Sequence, residues 1–250
     1  MALKNEMVAQ GNFLFRYRSY FPILLLPVAF LVIWATLPEK QHFYTRSIDT
    51  IEILAILICL FGLLIRIMTV GYTPKNTSGR NTEEGQVADS VNTSGIYSMV
   101  RHPLYLGNYF MWLGIAIFTG SIWFVVAFTL MYWLYYERIM MAEEEFLLNK
   151  FGKIYESWAS LTPAFIPDLG KWNRPALSFS WRKVLKKEKN GLFAIFLVIF
   201  ILQCWVQWLR TGQWATNDMW SWYLMIGSGI LYFILKFLKY RSSWLSEPNR

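Results

Sequence analysis

Apolar residues run along this chain in long blocks separated by short polar segments. The first block starts at Phe21 and continues through PILLLPVAFLVIWATL, which predicts a helix bent at Pro27, where a backbone donor is missing. The second, Ile51 to Tyr72, is the cleanest. The third and fourth, Leu104 to Ile117 and Ile122 to Tyr136, flank Thr119-Gly120-Ser121 and predict a helical hairpin. Each hairpin arm is short for a full bilayer crossing, which takes roughly 17–25 residues, so tilted or partial penetration is expected. The last two blocks are Gly191 to Leu209 and Met219 to Phe237, joined by a short loop that holds Asp218 and one basic residue, Arg210. The fold expected is all-α: a polytopic integral membrane protein of about six transmembrane helices within a single membrane domain, residues 1–250.

The polar segments set the orientation. Lysines and arginines gather at the N-terminus, in the loop Thr73 to Ser94, in the basic segment Arg138 to Lys189 (with its WRKVLKKEK) and in the C-terminal tail. Both termini are therefore expected in the cytoplasm, by the positive-inside bias. The loop Pro38 to Asp49, with Lys40, His42 and Arg46, is a mild violation. Thr73 to Ser94 lacks helical periodicity and is long for a structureless connection, a length usual in functional or disordered loops. Arg66, in the last turns of the second block, is expected to snorkel to the interface. The alternative is that it faces inward towards an acidic partner.

Composition agrees. Hydrophobic residues make up 55% and aromatic residues 18%, which excludes an ordinary soluble domain. The net charge of +8 suits cytoplasmic loops and anionic lipid better than nucleic acid, since no soluble segment carries a basic stripe with interleaved aromatics. Cys59 and Cys204 sit inside apolar runs and read as packing residues, with no metal-ligand spacing. No cleavable signal is evident. Trp205, Trp208, Trp214, Trp220 and Trp222 read as an interfacial belt.

The two mouths of the hairpin carry the chemistry. At the first, RHPLYLGN, Pro103 suits the opening turn of a helix. Its exposed N–H groups beside Arg101 and His102 favour an anion. Tyr105 and Asn108 add hydrogen-bonding groups, and Gly107 allows close approach of a ligand or a helix. At the second, Glu143-Glu144-Glu145 follows the apolar run. At about 100° per residue, Glu143 and Glu144 can point inward while Glu145 faces water. Buried carboxylates need cations, supplied by a ligand or by Arg101 and Arg138. A solvated helix terminus is the bland reading, weakened because acidic groups at a helix C-terminus oppose its dipole.

GIYSMVRHPLYLGN, the hairpin, and EEEFLLNKFGKIYESW with a following Pro-x-x-x-Pro resemble the isoprenylcysteine carboxyl methyltransferase and phospholipid methyltransferase superfamily. The resemblance covers Gly95 to Pro167 and implies a catalytic core at 95–167, followed by two extra C-terminal transmembrane helices at 190–240. It implies an S-adenosylmethionine-dependent methyltransferase with a lipidic acceptor: a lipid phosphate, a phospholipid amine or a prenylcysteine carboxylate. It places cofactor binding at Tyr97, His102, Pro103, Tyr105, Gly107, Asn108, Glu143 and Glu144, and catalysis at Arg101, Glu143 and Glu144. Lys75, Arg80 and Arg138 are expected on the substrate side, and no metal is expected. Tyr155 and Pro163 are expected to position the returning segment, and Trp158 stands where the family often has tyrosine. The cofactor site is expected to face the cytoplasm, in the inner membrane if the source is bacterial. The alternatives are an NADPH-dependent membrane sterol-type reductase, which shares the RHPxYxG helix start, and a non-catalytic membrane scaffold.

Overall fold

The computed structural model describes residues 2–18, 20–37, 50–75, 77, 80–82, 85–214 and 219–247. The loop with Lys40, His42 and Arg46, and Asp218, lie outside the described residues. The helices are α1 (Ala2–Tyr17), α2 (Phe21–Thr36), α3 (Thr50–Tyr72), α4 (Pro103–Phe118), α5 (Ile122–Phe151), α6 (Lys153–Leu161), α7 (Trp181–Thr211) and α8 (Trp220–Arg241). Two three-residue strands, β1 (Arg80–Thr82) and β2 (Gly85–Val87), pair antiparallel in the loop after α3. The fold is an all-α membrane protein. Among the described residues, α3, α7 and α8 are long and apolar enough to cross a membrane, while α2 (from Ile23) and α4 are shorter apolar helices. α2, α3, α5 and α8 expose large apolar side chains, including Leu24, Leu31, Leu57, Leu64, Leu130 and Phe233, as a lipid-facing surface requires.

Three expectations change. α1 was not foreseen, because its sequence carries no apolar run; it buries only Gly11 and Phe15. It lies along the second half of α5, where Lys4 pairs with Glu145 at 2.6 Å and Tyr135 Oη donates to Leu14 O at 3.3 Å. α5 does not end at the glutamates. ERIMMAEEEFLLNKF holds helix formers throughout, so the helix runs on to Phe151 with Lys150 in its last turn, and Gly152 at φ 53° stops it. The carboxylates therefore lie inside the helix, and the argument from an opposed helix dipole falls. Likewise, the helix expected from Gly191 begins ten residues earlier inside the basic segment, as the first half of α7, which Ser180 starts by accepting from Lys183 N at 3.1 Å.

α3 and α4 cross closely. A Cβ on Gly62 would sit 2.4 Å from Gly107 O, so this contact admits only glycine without movement. Cys59, fully buried, donates its thiol to Met111 O at 3.1 Å in the same crossing and is a packing residue as expected. α7 lies antiparallel to α3 and is tied to it at both ends. At one end Gln203 Nε2 donates to Glu52 Oε1 at 2.7 Å, and Trp220 Nε1 of α8 donates to Glu52 Oε2 at 3.1 Å. At the other end Glu188 meets Arg66. Trp205 and Trp208 stack at 5.1 Å, and Trp205 Nε1 donates to Phe30 O of α2 at 3.0 Å.

Candidate active site

The stretch before α4 is held by the tail after α6. Arg101 N donates to Pro163 O at 2.9 Å, His102 N to Ala164 O at 3.2 Å, and Asp168 N to Met99 O at 3.0 Å. This pairing presents the His102 side chain, only 5% exposed, to α5. Its Nε2 lies 2.9 Å from Glu144 Oε1 and its Nδ1 3.5 Å from Glu143 Oε2. Arg101 Nε is 3.0 Å from the same Glu144 oxygen, and Arg101 Nη1 donates to Ala159 O at 2.6 Å. The two mouths of the hairpin thus meet in one cluster of two cations and two carboxylates.

Both imidazole nitrogens face carboxylate oxygens, and only an imidazolium can donate to both. Burial alone would lower the His102 pKa, but its hydrogen bonds to Glu143 and Glu144 outweigh burial and raise it above the usual 6.5. For Glu143, burial alone would raise the pKa; the bond to His102 and its charge outweigh that and hold it below the usual 4.5. Tyr97 and Tyr155 are held above the usual phenol value, chiefly by burial and secondly by the nearby carboxylates, Glu143 beside Tyr97 and Glu144 beside Tyr155. At neutral pH both are therefore hydrogen-bond donors.

This cluster borders a cavity of about 380 Å³. Tyr97, Arg101, His102, Pro103, Tyr105, Asn108 and Glu143 line it. Glu144 stands behind His102, bonded to it and to Arg101. Gly107 faces α3: a Cβ there would lie 2.6 Å from Arg66 Cγ, so the close approach it permits is that of a helix. Among the described residues of the wall, Tyr105 Oη, Tyr155 Oη and Trp158 Nε1 are buried donors with no hydrogen-bond partner, and Gln86 Oε1 is a buried acceptor with none. Tyr105 Oη lies near the Glu143 carboxylate without closing a hydrogen bond of ordinary geometry. Buried donors without partners are uncommon in folded proteins and mark where a ligand would bond.

The substrate-side residues lie apart. Lys75 is exposed just beyond α3, and Arg80 lies in β1, its side chain outside the described positions. Arg138 is on the α1–α5 seam, where Nε donates to Gln10 Oε1 at 2.8 Å, and is not brought to the cavity. The loop carrying β2 does reach it, through residues such as Val87, Ala88 and Asn92.

Other wall residues carried no motif signal. Phe15 and Arg18, at and just beyond the end of α1, line the cavity. So do Arg66 of α3 and Glu188 of α7, joined at 2.7 Å (Nε to Oε2) and 2.9 Å (Nη2 to Oε1). Arg66 therefore does not snorkel; it faces inward onto an acidic partner, because a bidentate carboxylate within the bundle outcompetes the interface. Acidic residues are sparse in WRKVLKKEK, and Glu188 was the one signal available.

Residues 50–154 match the phospholipid methyltransferase family. The match and the relatives below support the resemblance of this segment to the isoprenylcysteine carboxyl methyltransferase and phospholipid methyltransferase superfamily. The chain is similar to the protein-S-isoprenylcysteine O-methyltransferase of Schizosaccharomyces pombe, 37% identical over 76 residues, 30% of this chain and 32% of that protein. The cobalt-zinc-cadmium resistance protein CzcN of Cupriavidus metallidurans is 36% identical over 85 residues, 34% of this chain and 39% of that one. The protein-S-isoprenylcysteine O-methyltransferase of Xenopus laevis is 25% identical over 122 residues, 49% of this chain and 42% of that one. The chain thus spans about a third to two fifths of the length of these relatives. No solved structure matches it. The matched segment contains the His102–Glu143–Glu144 cluster, whereas α7 and α8 lie beyond it.

Proposed function

We propose that this chain is an integral membrane methyltransferase that moves a methyl group from S-adenosylmethionine to a lipidic acceptor. The observation that carries the reading is the cavity itself: both superfamily motifs border it, and its wall holds Glu143 together with three partnerless donors. A cavity of about 380 Å³ is within the range of small-molecule sites.

The residues suit the cofactor. S-adenosylmethionine supplies an electrophilic methyl group on a sulfonium, and carries an ammonium, a carboxylate and a nucleoside. Glu143 offers a carboxylate to its cationic part. Tyr105, Tyr155 and Trp158 offer donors to its oxygen and nitrogen acceptors. His102 holds a proton on both ring nitrogens and fixes Glu143, while Arg101 and Glu144 hold His102. Tyr97, Pro103 and Asn108 complete the wall. Gly107 contributes indirectly, by letting α3 close on α4.

Alignment is the main demand of such a reaction, and orientation supplies about 7–11 kcal/mol in favourable cases. A carboxylate or phosphate acceptor is already nucleophilic and needs no base. The relatives named protein-S-isoprenylcysteine O-methyltransferase point to a prenylated cysteine carboxylate as the first acceptor to try. Lys75 and Arg80 are the proposed headgroup contacts, on the loop whose later residues, such as Val87 and Asn92, line the cavity. The cavity is proposed to face the cytoplasm. The first half of α7 and the end of α8 lie at its end of the bundle with Lys186, Lys187, Lys236 and Lys239, as the positive-inside bias requires.

Calorimetry of the detergent-solubilised protein with S-adenosylhomocysteine and, separately, NADPH tests the reading. Binding of S-adenosylhomocysteine alone, lost in His102→Ala, is expected, followed by methyl transfer to a prenylcysteine that weakens in a Lys75→Ala, Arg80→Ala variant. Binding of NADPH alone would assign the cavity to a reductase. Binding of neither would leave a scaffold.

A further inference from the structure

The Arg66–Glu188 pair brings into the cavity wall a helix that lies outside the matched segment. Glu188 is 4% exposed on its side chain and takes Nε and Nη2 of Arg66 on its two oxygens. The remaining arm, Nη1, donates to Asn108 Oδ1 at 2.7 Å. A guanidinium is only a donor, so this contact fixes which end of the Asn108 amide faces it. Arg66 takes the oxygen and turns the amide N–H groups the other way, where one meets Tyr136 Oη and the other is left to offer a ligand in the cavity. Gly107 enables the arrangement, because any side chain there would collide with the stem of Arg66.

We propose that Glu188 is a positioning residue for the cofactor cavity: through Arg66 it fixes Asn108 as a donor towards an oxygen atom of the bound adenosyl ligand. The inference rests on the methyltransferase reading and makes α7 part of the catalytic unit. An amide that presents N–H, with a guanidinium held at its oxygen, selects a carboxylate or hydroxyl oxygen and disfavours an ammonium.

Glu188→Ala strands a buried guanidinium and can unfold the chain, so Glu188→Gln and Asn108→Asp are the variants to measure. A carboxylate in place of the Asn108 amide would accept from Arg66 at least as well, but it cannot donate. Asn108→Asp is expected to keep a melting temperature close to wild type while its affinity for S-adenosylhomocysteine falls about tenfold or more, the loss of a hydrogen bond to a ligand oxygen. Glu188→Gln, which weakens the hold on Arg66, is expected to lose roughly threefold to tenfold. Wild-type affinity in both folded variants would overturn the inference and leave the methyltransferase reading standing. Failure of the wild type itself to bind S-adenosylhomocysteine would overturn both.

Discussion

At the residue scale the site turns on His102 and its two carboxylates. His102, Glu143 and Glu144 were legible in the sequence because each belongs to a motif at one mouth of the hairpin. Their pairing was not, because it depends on α5 continuing past its apolar run to carry the glutamates beside the His102 loop. Arg66 was misread for a related reason: its partner Glu188 is 122 residues away, in a basic segment that gave no hint of a buried carboxylate. The shifted pKa values predict a pH profile. The raised pKa of His102 means its contribution to stability is complete below about 6.5 and is lost as pH climbs through the raised value. The lowered pKa of Glu143 means the opposite: its contribution is complete above about 4.5 and is lost as pH falls through the lowered value. Both contributions are whole between these limits. The melting-temperature gap between wild type and Glu143→Gln should be widest there and narrow on either side. A gap independent of pH would show that the pair is not ionised as described.

At the element scale, long apolar blocks were easy to read and short amphipathic or charged helices were not. α3, α7 and α8 announced themselves by hydrophobic length. α1 did not, since Gly11 and Phe15 are the only residues it buries. The first half of α7 was hidden by its lysines, although Lys183 is buried and its Nζ donates to Thr73 O at 2.6 Å. What spacing could not convey was how near the helices come. A methyl group on Gly62 would meet the backbone of α4 at both Gly107 O and Met111 N, atoms that cannot rotate away. Gly62→Ala is therefore expected to destabilise the chain by about 1–3 kcal/mol, the usual cost of overpacking. Gly227 in α8 has nothing near its absent Cβ, so Gly227→Ala is the matched control and should leave thermal melting little changed. Equal melting of the two variants would mean that the α3–α4 crossing is looser than described.

At the scale of the whole molecule, the polar ties between α3 and α7 form a register. Glu52 and Arg66 are fourteen residues apart on α3, and Glu188 and Gln203 fifteen apart on α7. At about 1.5 Å per residue both intervals are a little over 20 Å, so antiparallel helices meet at both ends without strain. Ile195, Ile199 and Leu202 fill the space between, each at most 4% exposed. A slip of one turn would strand all four polar groups in the apolar interior, which makes the register specific as well as stable. The two ends should nevertheless do different work. Glu52 is far from the cavity and holds α7 and α8 by accepting from Gln203 and Trp220. Glu52→Gln keeps its volume but places an amide where two donors converge, and should cost about 1–3 kcal/mol. Its affinity for S-adenosylhomocysteine should stay within about twofold of wild type, because the packed residues between the ties keep Glu188 in place. Glu188→Gln should lower both melting temperature and affinity. If Glu52→Gln weakened the ligand as much as Glu188→Gln does, α7 would be moving as one rigid body, and the distinction between a docking end and a site end would fail.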